Sequence, residues 1–273
     1  RNLLPKINLV KSKENDWLIM DSPDHISDYI KKNGYWGAKE LIIAKTFLSN
    51  RSNVNVIDVG ANIGGFTIPV AKLISKNNGK LIAFEPQRIV FQQLCANIFV
   101  NRLDNVYTHN IALADKTVDI KVPELNFWKS QNVGGLSLDP NIRKMLKEES
   151  TKGSNFSNEE TGEEYLTKQL TLDSFNFDFK INLIKVDIEG YELEFFIGAS
   201  QTIKDSNFPP IIFELWEGKT WYDEKASETR EFLINLGYNF DKFGREILAQ
   251  HPDHPFQCKI TKENNKINLS LKR

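Results

Sequence analysis

Apolar residues recur along the chain at two alternating periods. From Ala38 to Leu48 they fall at helical spacing (Leu41, Ile42, Ala44, Phe47, Leu48), which predicts an amphipathic helix. After the polar break Ser49-Asn50-Arg51-Ser52-Asn53, the β-branched run from Val54 to Val59 stops at Gly60 and reads as a buried strand. Strand and helix then alternate. A helix is predicted over 66–75, a strand over 80–84 closed by Glu85-Pro86, a helix over 88–100 and a strand over 106–112. The rhythm resumes with a strand over 181–186, a helix over 193–203, a strand over 211–215 and a helix over 229–236 that ends at Gly237. Such alternation predicts an α/β fold: a Rossmann-like, doubly wound, mostly parallel sheet with right-handed crossovers. Ligands of such sheets bind beyond the C-terminal strand ends, near the topological switch point.

Three regions stand outside this rhythm. Residues 1–50 mix short apolar pieces with charge, carry Tyr35-Trp36-Gly37, and read as an N-terminal helical cap on the substrate side. Residues 139–168 hold Glu148-Glu149, Glu159-Glu160 and Glu163-Glu164 around Gly153-Ser154-Asn155. They read as a solvated, partly disordered insertion, with a lid over the site as the sharper alternative. The tail, 251–273, alternates weakly at Ile267, Leu269 and Leu271, which suits an edge strand or hairpin. Residues 51–250 form the expected catalytic domain. In His251-Pro252-Asp253-His254-Pro255 the prolines forbid a regular helix, so a surface turn is expected rather than a metal site.

Composition narrows the class. At roughly 150 residues per domain, 273 residues make one large domain or two small ones, and the continuous alternation favours one. Lys plus Arg is 35 and Asp plus Glu is 36, for a net charge of -1, which excludes a generally basic nucleic-acid binder. No nucleic-acid partner is therefore expected, and a small uncharged acceptor fits better than a polyanion. Two cysteines, Cys95 and Cys258, argue against a disulfide framework and a Cys-based zinc site. No apolar run approaches the ~18 residues of a transmembrane segment, so a soluble cytoplasmic enzyme is the expectation. The chain opens on Arg1 rather than Met, so it is expected to continue upstream, where a targeting signal would lie.

The strongest chemical signal is Asp58-Val59-Gly60-Ala61-Asn62-Ile63-Gly64, between a predicted strand and a predicted helix. Gly60 and Gly64 let the backbone turn tightly and approach a ligand, and the helix start behind them offers free N–H groups. Glu85 ends the next strand, where a carboxylate can accept both hydroxyls of a ribose. The spacing is G-x-x-x-G rather than the G-x-G-x-x-G of dinucleotide sites, so a nicotinamide cofactor is not indicated. Asp58 suits a ligand with a cation near the loop, and S-adenosylmethionine carries both an ammonium and a sulfonium.

This loop resembles that of class I S-adenosylmethionine-dependent methyltransferases. Four further stretches make the chain similar to the FkbM family: Asn110 to Asp115, Leu172-Asp173-Ser174-Phe175, Ile184 to Glu192 and Pro210 to Glu214. The likeness covers roughly 54–243. It implies a fold of the class I methyltransferase type and O-methylation of sugars, polyketides or other natural products. It also implies that Asp58, Gly60, Ala61, Asn62 and Gly64 approach the methionine half of the cofactor. Glu85 and Pro86 would then hold the ribose, with Ala112 and Asp115 near the adenine.

Lys185, Asp187, Glu189 and Glu192 cluster where the fourth predicted strand runs out, and Glu214 ends its neighbour. If strand geometry persists, Lys185, Asp187 and Glu189 share a face. Glu192 reads as an acid stabilising a helix N-terminus. Asp187, then Glu189, is the candidate base for a hydroxyl acceptor. Alternatively, Asp187 and Glu214 bind Mg²⁺, which would acidify the hydroxyl. Lys185 either stabilises the emerging alkoxide or pairs with the acids. Trp128, Asn132 and Gly134, with Trp36 and Trp216, are candidate acceptor contacts. The leading function is methyl transfer to a hydroxyl of a sugar, glycan or related small molecule. N- or carboxyl-methylation and a non-catalytic S-adenosylmethionine-binding module are the alternatives.

Overall fold

The structure is a computed structural model and describes residues 3–150, 158–263 and 266–272. The chain opens with an antiparallel hairpin, β1 (Ile7–Lys11) and β2 (Asp16–Met20), then α1 (His25–Asn33) and α2 (Ala38–Leu48). Patterning predicts α2 with these bounds but neither the hairpin nor α1. The hairpin escapes because Ile7 and Leu9 on β1 are exposed, so its alternation does not mark a buried face. The Asp24 carboxylate caps α1 by accepting from the Ser27 N–H, and Gly34, with φ 81°, ends it in the left-handed region.

The alternating elements follow: β3 (Asn55–Val59), α3 (Thr67–Ser75), β4 (Lys80–Phe84), α4 (Arg88–Val100) and β5 (Val106–His109). The predicted strand 106–112 breaks at Asn110. There the Asn110 side-chain amide turns back to donate to the Glu85 and Pro86 carbonyls, at 2.8 and 3.2 Å. The chain then enters a second sheet through β6 (Ala112–Leu113) and β7 (Val118–Leu125). After α5 (Pro140–Ser150) it returns along β8 (Glu160–Leu170), which lies between β6 and β7. The expectation of a solvated insertion over 139–168 is thus corrected: a helix and most of an 11-residue strand occupy its described part. Glu160, Glu163 and Glu164 lie on the outer part of β8, where the strand is exposed, and this gives it the composition of a loop. Residues 151–157, and with them part of the expected lid, lie outside the described residues.

The last stretch comprises β9 (Leu183–Val186), α6 (Glu192–Gly198), α7 (Ser200–Asp205), β10 (Ile211–Glu214), α8 (Asp223–Asn235), β11 (Asn239–Phe243) and β12 (Glu246–Gln250). The single helix predicted over 193–203 is two. Gly198 passes so close to the Ala114 carbonyl that a Cβ would lie 1.9 Å from its oxygen, and the helix breaks at this contact. The tail folds as the expected hairpin, β13 (Gln257–Glu263) and β14 (Lys266–Lys272), packed on α2. The expected surface turn is present, with Pro252, Asp253 and Pro255 exposed, but its histidines point inward. Both histidines are buried, and His251 stacks on Phe208 with ring centroids 4.1 Å apart.

The main sheet has the order β11-β12-β10-β9-β3-β4-β5, parallel except for β12, which runs antiparallel to both its neighbours. All five residues of β3 are buried because both sheet faces are covered. Alternation divides the core in two: Val56, Leu81, Ala83 and Leu183 face α2, α3 and α4, while Ile57, Ile82, Phe84 and Ile184 face α6 and α8. From β3 the chain steps outward to β4 and β5, then returns to place β9 on the other side of β3. The switch point therefore lies at the ends of β3 and β9, at Gly60 and Asp187.

Candidate active site

Gly60 leaves β3 with φ 76°, in the left-handed region. A Cβ here would lie 1.9 Å from the Asp187 carbonyl oxygen, so the close approach of the two strand ends requires glycine. The N–H groups of Gly60 and Ala61 both donate to the Phe84 carbonyl at 3.0 Å, which lays the loop across the end of β4. Gly64 lets the start of α3 press on Ile68 and Leu94. Asn62 stands at φ 49°, a conformation asparagine tolerates better than most residues.

Glu85 is buried at the head of the cleft. One carboxylate oxygen accepts from the Asn62 N–H and the other from the Gln87 N–H, each at 2.9 Å. Burial pushes its carboxyl up to about 7, against the pull of those two hydrogen bonds. The cleft below it is walled by Ile111, Ala112 and Leu113 on one side and by Gly134, Leu136 and Leu138 on the other. The Gln87 amide donates to the Val133 carbonyl at 2.9 Å, and the Val133 N–H donates to Asp24 at 3.0 Å. These bonds tie the Gly134 loop to both the start of α4 and the N-terminal cap.

Beneath the glycine loop lies a charged chain. Asp58 is fully buried; its Oδ2 accepts from Thr67 at 2.5 Å, and its Oδ1 has no hydrogen-bond partner but faces the Lys185 ammonium at 3.5 Å. Strand register places Asp58 directly opposite Lys185. Lys185 also reaches Asp187 at 3.5 Å and donates to the Gly60 carbonyl at 3.2 Å. Burial disfavours the Lys185 charge, but Asp58 and Asp187 outweigh it and hold the ammonium above its ordinary range. Of the two sequence readings of Lys185, the structure supports pairing with the acids.

β9 ends at Val186, so strand geometry does not carry Asp187 and Glu189 onto one face. The chain turns instead, and Glu189 adopts φ 55°, followed by Gly190 at 97°. Burial and then Asp187, Glu214 and Glu192 raise the Glu189 carboxyl well above the usual range. Burial and Asp187 push Glu214 up to about 7. Two acids missed in the sequence join this mouth: Glu40 from α2, and Glu246 from β12, which pairs in register with Glu214. Burial and the Glu40 charge push Glu246 up to about 9. Glu40 looks like any surface acid of an amphipathic helix, and Glu246 sits on a strand that carries no periodic signal. Glu192 behaves as expected of a helix-start acid: it accepts from the Gly190 N–H at 3.1 Å and from Tyr222 at 2.9 Å.

The sequence profile of the FkbM methyltransferase domain matches residues 58–240. The chain belongs to this family. No functionally curated protein matches it. Among solved structures it is similar to a methyltransferase FkbM from Methylobacillus flagellatus, at 17% identity over 76% of this chain and a TM-score of 0.46. The chain spans 47% of that protein's length. It is also similar to an S-adenosylmethionine-dependent O-methyltransferase from Thermotoga maritima (10% identity, 96% of this chain and 71% of that one, TM-score 0.43). An rRNA methylase from Streptococcus thermophilus matches at 11% identity, 85% and 89% coverage and a TM-score of 0.40.

An FkbM domain implies S-adenosylmethionine, and the residues present fit it. Gly60 brings the backbone of the glycine turn to the cleft wall, Glu85 keeps a buried carboxylate at the strand end, and Asp58 keeps an unbonded oxygen beneath the loop. The other candidates distribute as follows. Gly60, Glu85, Pro86, Ala112, Gly134, Asp187 and Glu189 line the cleft, and Ala61, Asn62 and Trp36 line a recess beside it. Asn132, Glu214 and Trp216 line a larger cavity on its other side. Asp115 lies outside these linings, its backbone against Gly198. Trp128, 54% exposed, donates to the Leu3 carbonyl and lines a separate surface groove with Arg88 and Tyr165. Among the described residues no three His, Cys, Asp or Glu side chains are grouped to hold a metal ion, and Lys185 engages Asp187, one of the two carboxylates of the Mg²⁺ alternative.

Proposed function

We propose that this FkbM domain transfers the methyl group of S-adenosylmethionine to a hydroxyl of a sugar, glycan or related polyhydroxylated natural product. The observation that carries the reading is the set of carboxyls at the cleft mouth, Asp187, Glu189 and Glu214, beside a cavity of about 450 Å³ walled by Trp216. Methyl transfer is an in-line displacement, so alignment of the acceptor oxygen supplies much of the acceleration. A hydroxyl must also lose a proton, and a carboxylate with a raised pKa is a stronger base than an ordinary one. In this reading the loop from Asp58 to Gly64 meets the methionine half of the cofactor and Glu85, beside Pro86, accepts the ribose hydroxyls. Ala112 then flanks the adenine, with Asp115 beyond it. An aromatic wall with charged and amide neighbours suits a sugar, because Trp216 offers a face and Asn132 a polar edge.

Mass spectrometry of products from a panel of methyl glycosides, amines and carboxylic acids, with S-adenosylmethionine as donor, tests this. Methyl gain on the glycosides is expected. Gain on amines or carboxylates alone would refute the hydroxyl assignment.

A further inference from the structure

The cofactor cleft opens on two sides, and each of the two leading carboxylates borders a different one. Asp187 lines the cleft and the recess beside Trp36, which Glu40 and Lys185 also line. Glu189 lines the cleft and the cavity of about 450 Å³ beside Trp216. Among the described residues, only Leu136 and Glu189 are shared by those two linings, so Glu189 is the one titratable group common to both. We infer that the acceptor occupies the Trp216 cavity and that Glu189, not Asp187, takes its proton. This inference rests on the hydroxyl-methylation reading above.

Three observations separate the carboxylates. Asp187 is engaged by the Lys185 ammonium at 3.5 Å, so an ion pair already occupies its carboxylate. Glu189 takes part in no ion pair or hydrogen bond among the described residues. Its backbone stands at φ 55°, in the left-handed region that residues with a β-carbon seldom adopt. The charged groups that face it are Lys185 and Asp187 at the end of β9, Glu192 of α6 and Glu214 of β10. Beyond them stand Glu40, Glu246 and, at the cavity rim, Arg245. Acids predominate, so a proton is held more tightly at Glu189 than at a solvated carboxylate.

In the step so assigned, the acceptor hydroxyl gives its proton to Glu189 and its oxygen forms a bond to the methyl carbon of the sulfonium donor. The carbon–sulfur bond breaks and its electron pair stays on sulfur. The sulfonium charge and the carboxylate charge vanish together, so charge balances. Asp187, with Lys185 and Asp58, belongs to the cofactor side.

Two measurements decide this without a known acceptor. The first is carbodiimide coupling of the wild-type protein to glycinamide, with peptide mass spectrometry comparing the two sites. Glu189 is expected to couple at least tenfold faster than Asp187; the reverse order overturns the inference. The second is calorimetric titration with S-adenosylhomocysteine. Glu189→Gln, and Glu189→Gly as a variant suited to the left-handed backbone, should bind within about twofold of wild type, whereas Asp187→Asn should bind at least tenfold more weakly. Equal loss in both sets would make Glu189 a cofactor residue and overturn the inference. No binding by folded wild type would instead sink the methyltransferase reading itself. With any acceptor that is turned over, Glu189→Gln should lower kcat about a hundredfold or more and leave the KM for S-adenosylmethionine unchanged. A full kcat in that variant would also overturn it.

Discussion

At the residue scale, the site is dominated by charges that burial would expel unless each found a counterpart. Lys185 is the counterpart of Asp58, so Lys185→Met leaves a fully buried carboxylate uncompensated. Such losses cost about 3–5 kcal/mol. Urea denaturation should show it, and adding Asp58→Asn should recover most of it, because the two changes act on one pair. Gly60→Ala meets the Asp187 carbonyl and a left-handed φ together, and should cost about 2–4 kcal/mol in the same assay with an unchanged slope. Glu85 gives a pH dependence. Burial raises its folded pKa from the ordinary 4.5 to about 7. Between those values the folded chain keeps a proton that the unfolded chain has lost. Stability of the cofactor-free protein therefore falls as pH rises from about 4.5 to 7, by at most about 3 kcal/mol from this residue. Thermal melts across that range should show a shallower decline for Glu85→Gln, while Glu214 and Glu246, raised in the same direction, keep part of the slope.

At the scale of elements, what could be read in the sequence depended on how each element is buried. Strands and helices from 38 to 109 are legible because the central strands are covered on both faces and the helices are apolar at a regular period. The β7–β8 pair is not, since β8 is exposed over its acidic half and its partner lies far away along the chain. Yet β8 supports the turn between β4 and α4. The Tyr165 hydroxyl accepts from the Arg88 N–H at 2.7 Å and donates to the Pro86 carbonyl at 3.1 Å. Tyr165→Phe leaves both groups short of a partner and should lower stability by about 1–2 kcal/mol, measured by denaturant midpoint. Leu172-Asp173-Ser174-Phe175, which marks the family likeness, also has a structural part. Asp173 caps α7 by accepting from the Gln201 and Thr202 N–H groups at 3.1 and 2.7 Å.

At the scale of the whole molecule, the glycine-loop side of the cleft was readable because local spacing writes it: a strand, a glycine turn, a helix and an acid at the next strand end. The acceptor side was not, because it is assembled from distant pieces. Asn132, Glu189, Glu214 and Trp216 come to line one cavity only after the sheet has placed β10 beside β9. Among the described residues, no helix is long and apolar enough to cross a membrane. The central claim is that the cleft between the glycine loop and Glu85 holds S-adenosylmethionine. Calorimetric titration of the folded protein with S-adenosylmethionine tests it most directly. One equivalent should bind to wild type, and Glu85→Ala should weaken binding at least tenfold. Absence of binding by wild type, or undiminished binding by the Glu85 variant, would contradict the account.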